Sequence, residues 1–158
     1  AFRAKRYVIF DYDTLCLMPV ESFYQQVWNA DVACASPMTY QEKPEWYWFR
    51  AQSVDGLPLK FHEQLAGLAP ASGVFLSDRA LKAISELAKD RSFSHLFCEC
   101  RLGTLARIAG FEIRQIRDDV EQFIGWNEVT PTRRGIWHPI KTIYRSDDLF
   151  LASDADSV

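Results

Sequence analysis

Glycine, cysteine and long apolar runs are all scarce in this 158-residue chain, and each scarcity narrows the reading. Seven glycines are spread thinly and make no glycine-rich phosphate loop, nucleophile elbow or zinc-helix motif. Four cysteines, Cys16, Cys34, Cys98 and Cys100, are irregularly spaced. A disulfide framework belongs to shorter secreted chains, so these read as structural thiols of a protein expected in the reducing cytoplasm, with no signal peptide before them. No apolar run approaches the ~18 residues of a membrane span. There is no basic stripe either: the net charge is −3. Residues 1–110 balance 12 acidic against 12 basic side chains, while residues 111–158 carry 9 against 6, so the acidic excess sits in the last third. Nucleic-acid binding, which replaces phosphate counterions with Lys and Arg, is therefore not expected; a basic protein partner suits this charge better.

What remains is ordinary for a folded domain. Hydrophobic residues make up 48% and charged residues 25%. A chain of this length buries roughly 68–70% of its unfolded surface and needs no covalent staples. Repeats, low-complexity tracts and inter-domain linkers are absent. Eleven Phe, six Tyr and five Trp are enough for some to reach the surface as anchors.

Along the chain, Tyr7-Val8-Ile9-Phe10 reads as a first strand ending at Asp11. Ser22, with Gln25 three positions on, reads as a helix start that puts Phe23, Tyr24, Val27 and Trp28 on one face. Residues 31–45, punctuated by Pro37 and Pro44, read as a loop. Trp46–Val54 and Leu57–Phe61 flank Asp55-Gly56, the pattern of a β-hairpin. A small-residue loop over 67–73 leads into a strand at Val74–Leu76. Ser77 then caps a helix whose buried face is Leu81, Ile84, Leu87 and Ala88. Alternation of Leu96, Cys98, Cys100 and Leu102 predicts a strand over 94–102 with both cysteines on the core side. Thr104 reads as the cap of a short helix closed by Gly110. Beyond it, two readings stay open: a strand over 111–116, or one long helix running from 104 to 124. A further strand is expected at Ile140–Tyr144, and the Asp- and Ser-rich end from Ser146 reads as frayed. The element order predicts a single α+β domain with a mixed or largely antiparallel sheet and packed helices. Its predicted core includes Val8, Ile9, Phe75, Leu81, Ile84, Leu87, Leu96 and Leu105.

Three stretches bear on chemistry. Asp11 and Asp13 follow the first strand two residues apart and share a face, an arrangement that can bind magnesium or act as nucleophile and acid. Val-Ile-Phe-Asp-Tyr-Asp-Thr-Leu resembles the first motif of haloacid-dehalogenase-type phosphatases, Asp-x-Asp-x-Thr. Thr14 comes one residue early, the intervening glycine is missing, and no lysine stands at a matching position before Asp118-Asp119, the counterpart of the later acidic motif. The order helix, strand, helix, strand over 80–116, with Leu105-Ala106-Arg107-Ile108-Ala109-Gly110-Phe111, is similar to the distal half of GNAT-type acyltransferases. That resemblance implies an acyl-CoA or acyl-carrier donor with its pyrophosphate held at Leu76-Ser77-Asp78-Arg79, a turn with an Asp and no glycine.

Tyr7–Ile9, the Trp-rich stretch before Asp55-Gly56, Phe75-Leu76-Ser77-Asp78-Arg79-Ala80-Leu81 and Asp148-Leu149-Phe150 resemble small bacterial immunity proteins of polymorphic toxin systems. The resemblance implies a cytoplasmic, non-enzymatic protein that neutralises a cognate toxin, with no catalytic residue, metal or cofactor. His62, His95 and His138 show no metal-ligand spacing, in line with that expectation. If the chain binds a protein, the acidic cluster Asp118, Asp119 and Glu121 beside Trp126 is the candidate surface: crowded carboxylates are relieved by a cationic partner, and the indole supplies a desolvated anchor.

Overall fold

A computed structural model describes residues 5–51, 56–116, 124 and 135–141. The fold is α+β, with a mixed sheet and packed helices. The principal sheet has four strands, β1 (Arg6–Ile9), β3 (Val32–Cys34), β6 (Val74–Ser77) and β7 (Ile113–Gln115), in the order β1-β6-β3-β7. β6 pairs antiparallel with β1 (Val8 opposite Phe75) and with β3 (Ala33 opposite Phe75), and β3 pairs parallel with β7. Two small antiparallel pairs accompany it: β2 (Leu15–Cys16) with β8 (Ile136–Trp137), and β4 (Ser36–Thr39) with β5 (Ala66–Ala69). The helices are α1 (Val20–Tyr24), α2 (Tyr47–Ala51), α3 (Asp78–Leu87) and α4 (Cys98–Ile108).

The period-2 geometry of the strands sorts their side chains into two cores. Val32, Cys34, Val74 and Leu76 face one side, where they meet Ala80 and Ile84 of α3 and Leu105 and Ala106 of α4. Ala33, Ala35 and Phe75 face the other, where Phe23, Tyr24, Val27, Ile136 and Trp137 close over them. With both faces covered, β6 is buried along its length and apolar from Val74 to Leu76. Tyr24 stacks on Phe75 (centroids 5.9 Å apart) and donates its hydroxyl to the Gly73 carbonyl at 2.9 Å. Gly73 holds φ of +79°, a conformation costly to any residue with a Cβ.

Helix ends follow local chemistry where the sequence is explicit. Ser77 Oγ accepts from the Ala80 amide at 3.1 Å and starts α3. At the end of α4, Phe111 N–H reaches the Ala106 carbonyl at 3.0 Å and Gly110 N–H reaches Arg107 at 2.9 Å, a Schellman closure with Gly110 at φ +82°. That closure decides between the two readings of this region: the helix stops and β7 follows.

Several expectations are corrected. Residues 31–45 contain β3 and β4; β3 is three residues long and buried on both faces, so it shows no alternation. Pro37 is tolerated because, among the described residues, β4 pairs on one side only, with β5. Of the expected strand Trp46–Val54, Tyr47–Ala51 is helical and residues 52–54 lie outside the described residues; Leu59–Gln64 forms 3-10 turns. Residues 67–69 belong to β5, not to a loop. The stretch 94–102 is not a strand, since α4 starts at Cys98; Cys98 and Cys100, about 200° apart on a helix, point apart, Cys98 exposed and Cys100 buried. Thr104 lies inside α4, not at its start, and α1 begins at Val20 rather than Ser22. Ile140 lies outside β8, and Tyr144 and the C-terminal stretch fall outside the described residues. Of the eight predicted core residues, Phe75, Ile84, Leu96 and Leu105 are buried, Val8, Leu81 and Leu87 are half-buried, and Ile9 is exposed.

Candidate functional site

Asp11 and Asp13 leave β1 on a turn, Asp11 to Thr14, closed by the Thr14 amide on the Asp11 carbonyl at 3.2 Å. The turn is buttressed by Ser72, whose buried Oγ accepts from the Asp11 amide at 3.1 Å and lies 2.9 Å from Thr14 Oγ1. From the far end of the chain, β8 pairs with β2, the Leu17 amide reaches the Gly135 carbonyl at 2.8 Å, and the Ile140 amide reaches the Asp13 carbonyl at 2.8 Å. These backbone bonds bring His138 and Lys141 against the turn.

His138 Nε2 stands 3.3 Å from Asp11 Oδ2 and 3.3 Å from Asp13 Oδ1. The imidazole and the Asp13 side chain are each 9% exposed, while the Asp11 side chain is 51% exposed and opens the cluster to solvent. Lys141 Nζ is paired with the other Asp13 oxygen, Oδ2. That ammonium, assisted by His138, holds the Asp13 carboxyl below its ordinary range against the opposing effect of burial. Asp13 is therefore a fixed carboxylate, and the group can present three convergent donor atoms, all within 4.8 Å of one another. At the tip of the same turn Tyr12 is 98% exposed.

The sequence singled out Asp11 and Asp13, and the structure brings them together. It missed His138, Lys141 and Ser72, for which spacing gave no signal, because pairing of β2 with β8 is what delivers the first two. The other sequence-derived candidates, Asp118, Asp119, Glu121 and Trp126, lie outside the described residues.

The turn Leu76–Arg79 is built differently from a phosphate cradle. Asp31 Oδ1 accepts from Ser77 Oγ at 2.6 Å and from Arg79 Nε at 3.1 Å, and Asp78 sits in the first turn of α3, paired with Lys82. Two carboxylates thus stand at the helix start where a pyrophosphate would have to bind, and Arg79 is engaged by one of them. Asp11 and Asp13 follow β1, which among the described residues stands at the edge of the principal sheet. A second concavity, about 580 Å³, is lined by Thr39, Glu42, Arg107 and Gln115; with both signs of charge on its wall it selects no ligand class.

Among the described residues no helix is long and apolar enough to cross a membrane. Comparison with protein-family models, with curated proteins and with solved structures finds no match for this chain.

Proposed function

We propose that this chain is a non-enzymatic binding protein of the immunity type, which neutralises a cognate toxin in the cytoplasm and meets it through the turn from Asp11 to Thr14. The observation that carries this reading is Tyr12, whose ring is 98% exposed on a turn pinned from two sides. Tyrosine is enriched among the few residues that dominate interface energetics, and a turn whose backbone is already held loses little freedom on binding. Asp11, half exposed beside it, suits a cationic partner surface, as does the acidic last third of the chain. The thiols of Cys16, Cys98 and Cys100 are in keeping with a reducing compartment.

The test is co-purification with the product of the neighbouring gene, using wild type, Tyr12→Ala, and the pair Asp118→Lys with Asp119→Lys. Tyr12→Ala is expected to weaken association about 30-fold or more, the range of an interface hot spot. Association unchanged by Tyr12→Ala removes the turn as the contact, and unchanged association of the lysine variants at low salt removes the acidic cluster. Capture of no partner at all sinks the reading.

A further inference from the structure

We propose that Asp11, Asp13 and His138 form a binding site for a divalent transition-metal ion of the zinc class. The three donors come from two remote segments held in place by β2–β8 pairing and by the Ile140–Asp13 backbone bond, not by their own attraction. Hydrogen bonds between a protonated imidazole and a carboxylate run about 2.7–2.9 Å, shorter than either 3.3 Å separation here. Ligand atoms about 2.0–2.1 Å from a tetrahedral zinc ion stand about 3.3–3.4 Å from one another. The two separations from Nε2 match that edge.

Nε2 carries at most one hydrogen and faces two carboxylate oxygens at equal distance. With the hydrogen, one bond is divided between two acceptors; without it, three lone pairs face each other. A cation placed among the three atoms satisfies all of them. Lys141 balances only one of the two carboxylates, because it sits on Asp13 Oδ2 and leaves Oδ1 directed at the cluster. It thereby acts as the outer partner that orients a ligating carboxylate.

The donor set chooses the metal. Magnesium and calcium favour all-oxygen shells, whereas an imidazole nitrogen beside two carboxylates suits zinc and its neighbours. Three protein ligands with Asp11 open to solvent leave a fourth position for water. An ion here would tie the Tyr12 turn to β8. The inference rests on these side chains alone and stands whether or not Tyr12 meets a partner.

The experiment is calorimetric and thermal titration of the metal-stripped full chain with zinc sulfate, with magnesium chloride as a parallel arm and cobalt(II) absorption as the spectroscopic readout. Zinc is expected to bind once per chain and to raise Tm by about 5–10 °C at a hundredfold excess over Kd. Magnesium is expected to do neither. Cobalt should show visible bands without the near-ultraviolet thiolate charge transfer that binding at Cys16 or Cys98 would produce. Asp11→Asn, at the half-exposed ligand, should lower zinc affinity about 100-fold while the metal-free Tm stays put. Absence of saturable zinc binding overturns the proposal. So does a thiolate charge-transfer band, zinc affinity unchanged in Asp11→Asn, or a preference for magnesium.

Discussion

Thr104 Oγ1 answers both backbone polar groups of Ala66, accepting from its amide at 3.2 Å and donating to its carbonyl at 3.3 Å. The hydroxyl is buried in the middle of α4, and this double bond ties the helix to β5. Next to it Gly103 lets the two backbones approach: a Cβ there would stand 2.8 Å from the Ala66 carbonyl oxygen. Thr104→Val keeps the shape and removes both bonds, so it is expected to cost about 1–3 kcal/mol of unfolding free energy by urea denaturation. Gly103→Ala should also destabilise, by about 1–3 kcal/mol, although alanine is the better helix former, because the clash is with backbone that cannot turn aside. A neutral result for Thr104→Val would show that Ala66 finds other partners.

Acid should weaken the junction between β3 and α3. The Arg79 guanidinium, together with the Ser77 hydroxyl, holds the Asp31 carboxyl below its ordinary range, against partial burial that pulls the other way. A carboxyl depressed in the folded state stabilises fully above its unfolded pKa of about 4, and that contribution is lost as pH falls below it towards the folded value. Thermal unfolding followed from pH 7 to pH 3 should therefore show a smaller loss of Tm below pH 4 in Asp31→Asn than in wild type. Parallel curves for the two proteins would remove Asp31 from the acid response.

The thiols should be sluggish. Although Cys98 is exposed as a residue, partial desolvation of its sulfur first, and then the neighbouring Glu99 carboxylate, which accepts from Sγ at 2.7 Å, push its thiol up to about 12. Burial and Glu99 push Cys100 up to about 12 as well, and burial raises Cys16. Thiolate is the reactive form, so at pH 8 the native Cys98 should alkylate about a thousandfold more slowly than free cysteine, whose pKa is about 8.5. Mass spectrometry of iodoacetamide-treated native and urea-unfolded protein measures this. Labelling of native Cys98 at the free-cysteine rate would contradict the surroundings described for it.

Tyr12→Ala should leave stability within about 0.5 kcal/mol of wild type, because the ring touches almost nothing in the free protein. Matching urea midpoints for the two proteins would allow any loss of partner binding to be read as loss of contact. A midpoint shift beyond that margin would mean that the ring supports the turn.

Where local chemistry is strong, sequence alone determined the outcome. Ser77 followed by an amphipathic run starts α3 because its hydroxyl satisfies an orphan amide within three residues. Gly110 ends α4 because it takes positive φ without a Cβ penalty. Val74-Phe75-Leu76 is a strand because a short, all-apolar run before a cap fits a strand buried on both faces. The α+β class follows from these elements, and Asp11 with Asp13 was visible because both lie on one short stretch.

Tertiary structure decided the rest. The alternation of Leu96, Cys98, Cys100 and Leu102 suits a strand, but from Cys98 the segment is helix, where Gly103 packs against the Ala66 backbone, Thr104 bonds it and Cys100 turns into the core. Trp46 and Phe49, three apart, pack edge to face with centroids 4.8 Å apart, and Trp46 lies over Gly67, so a hairpin-like sequence coiled into helix. β3 was silent because three residues carry no period. His138 and Lys141 reach Asp11 and Asp13 through pairing between distant segments, and sequence spacing cannot report a contact whose free energy is supplied by non-local backbone bonds and a shared core.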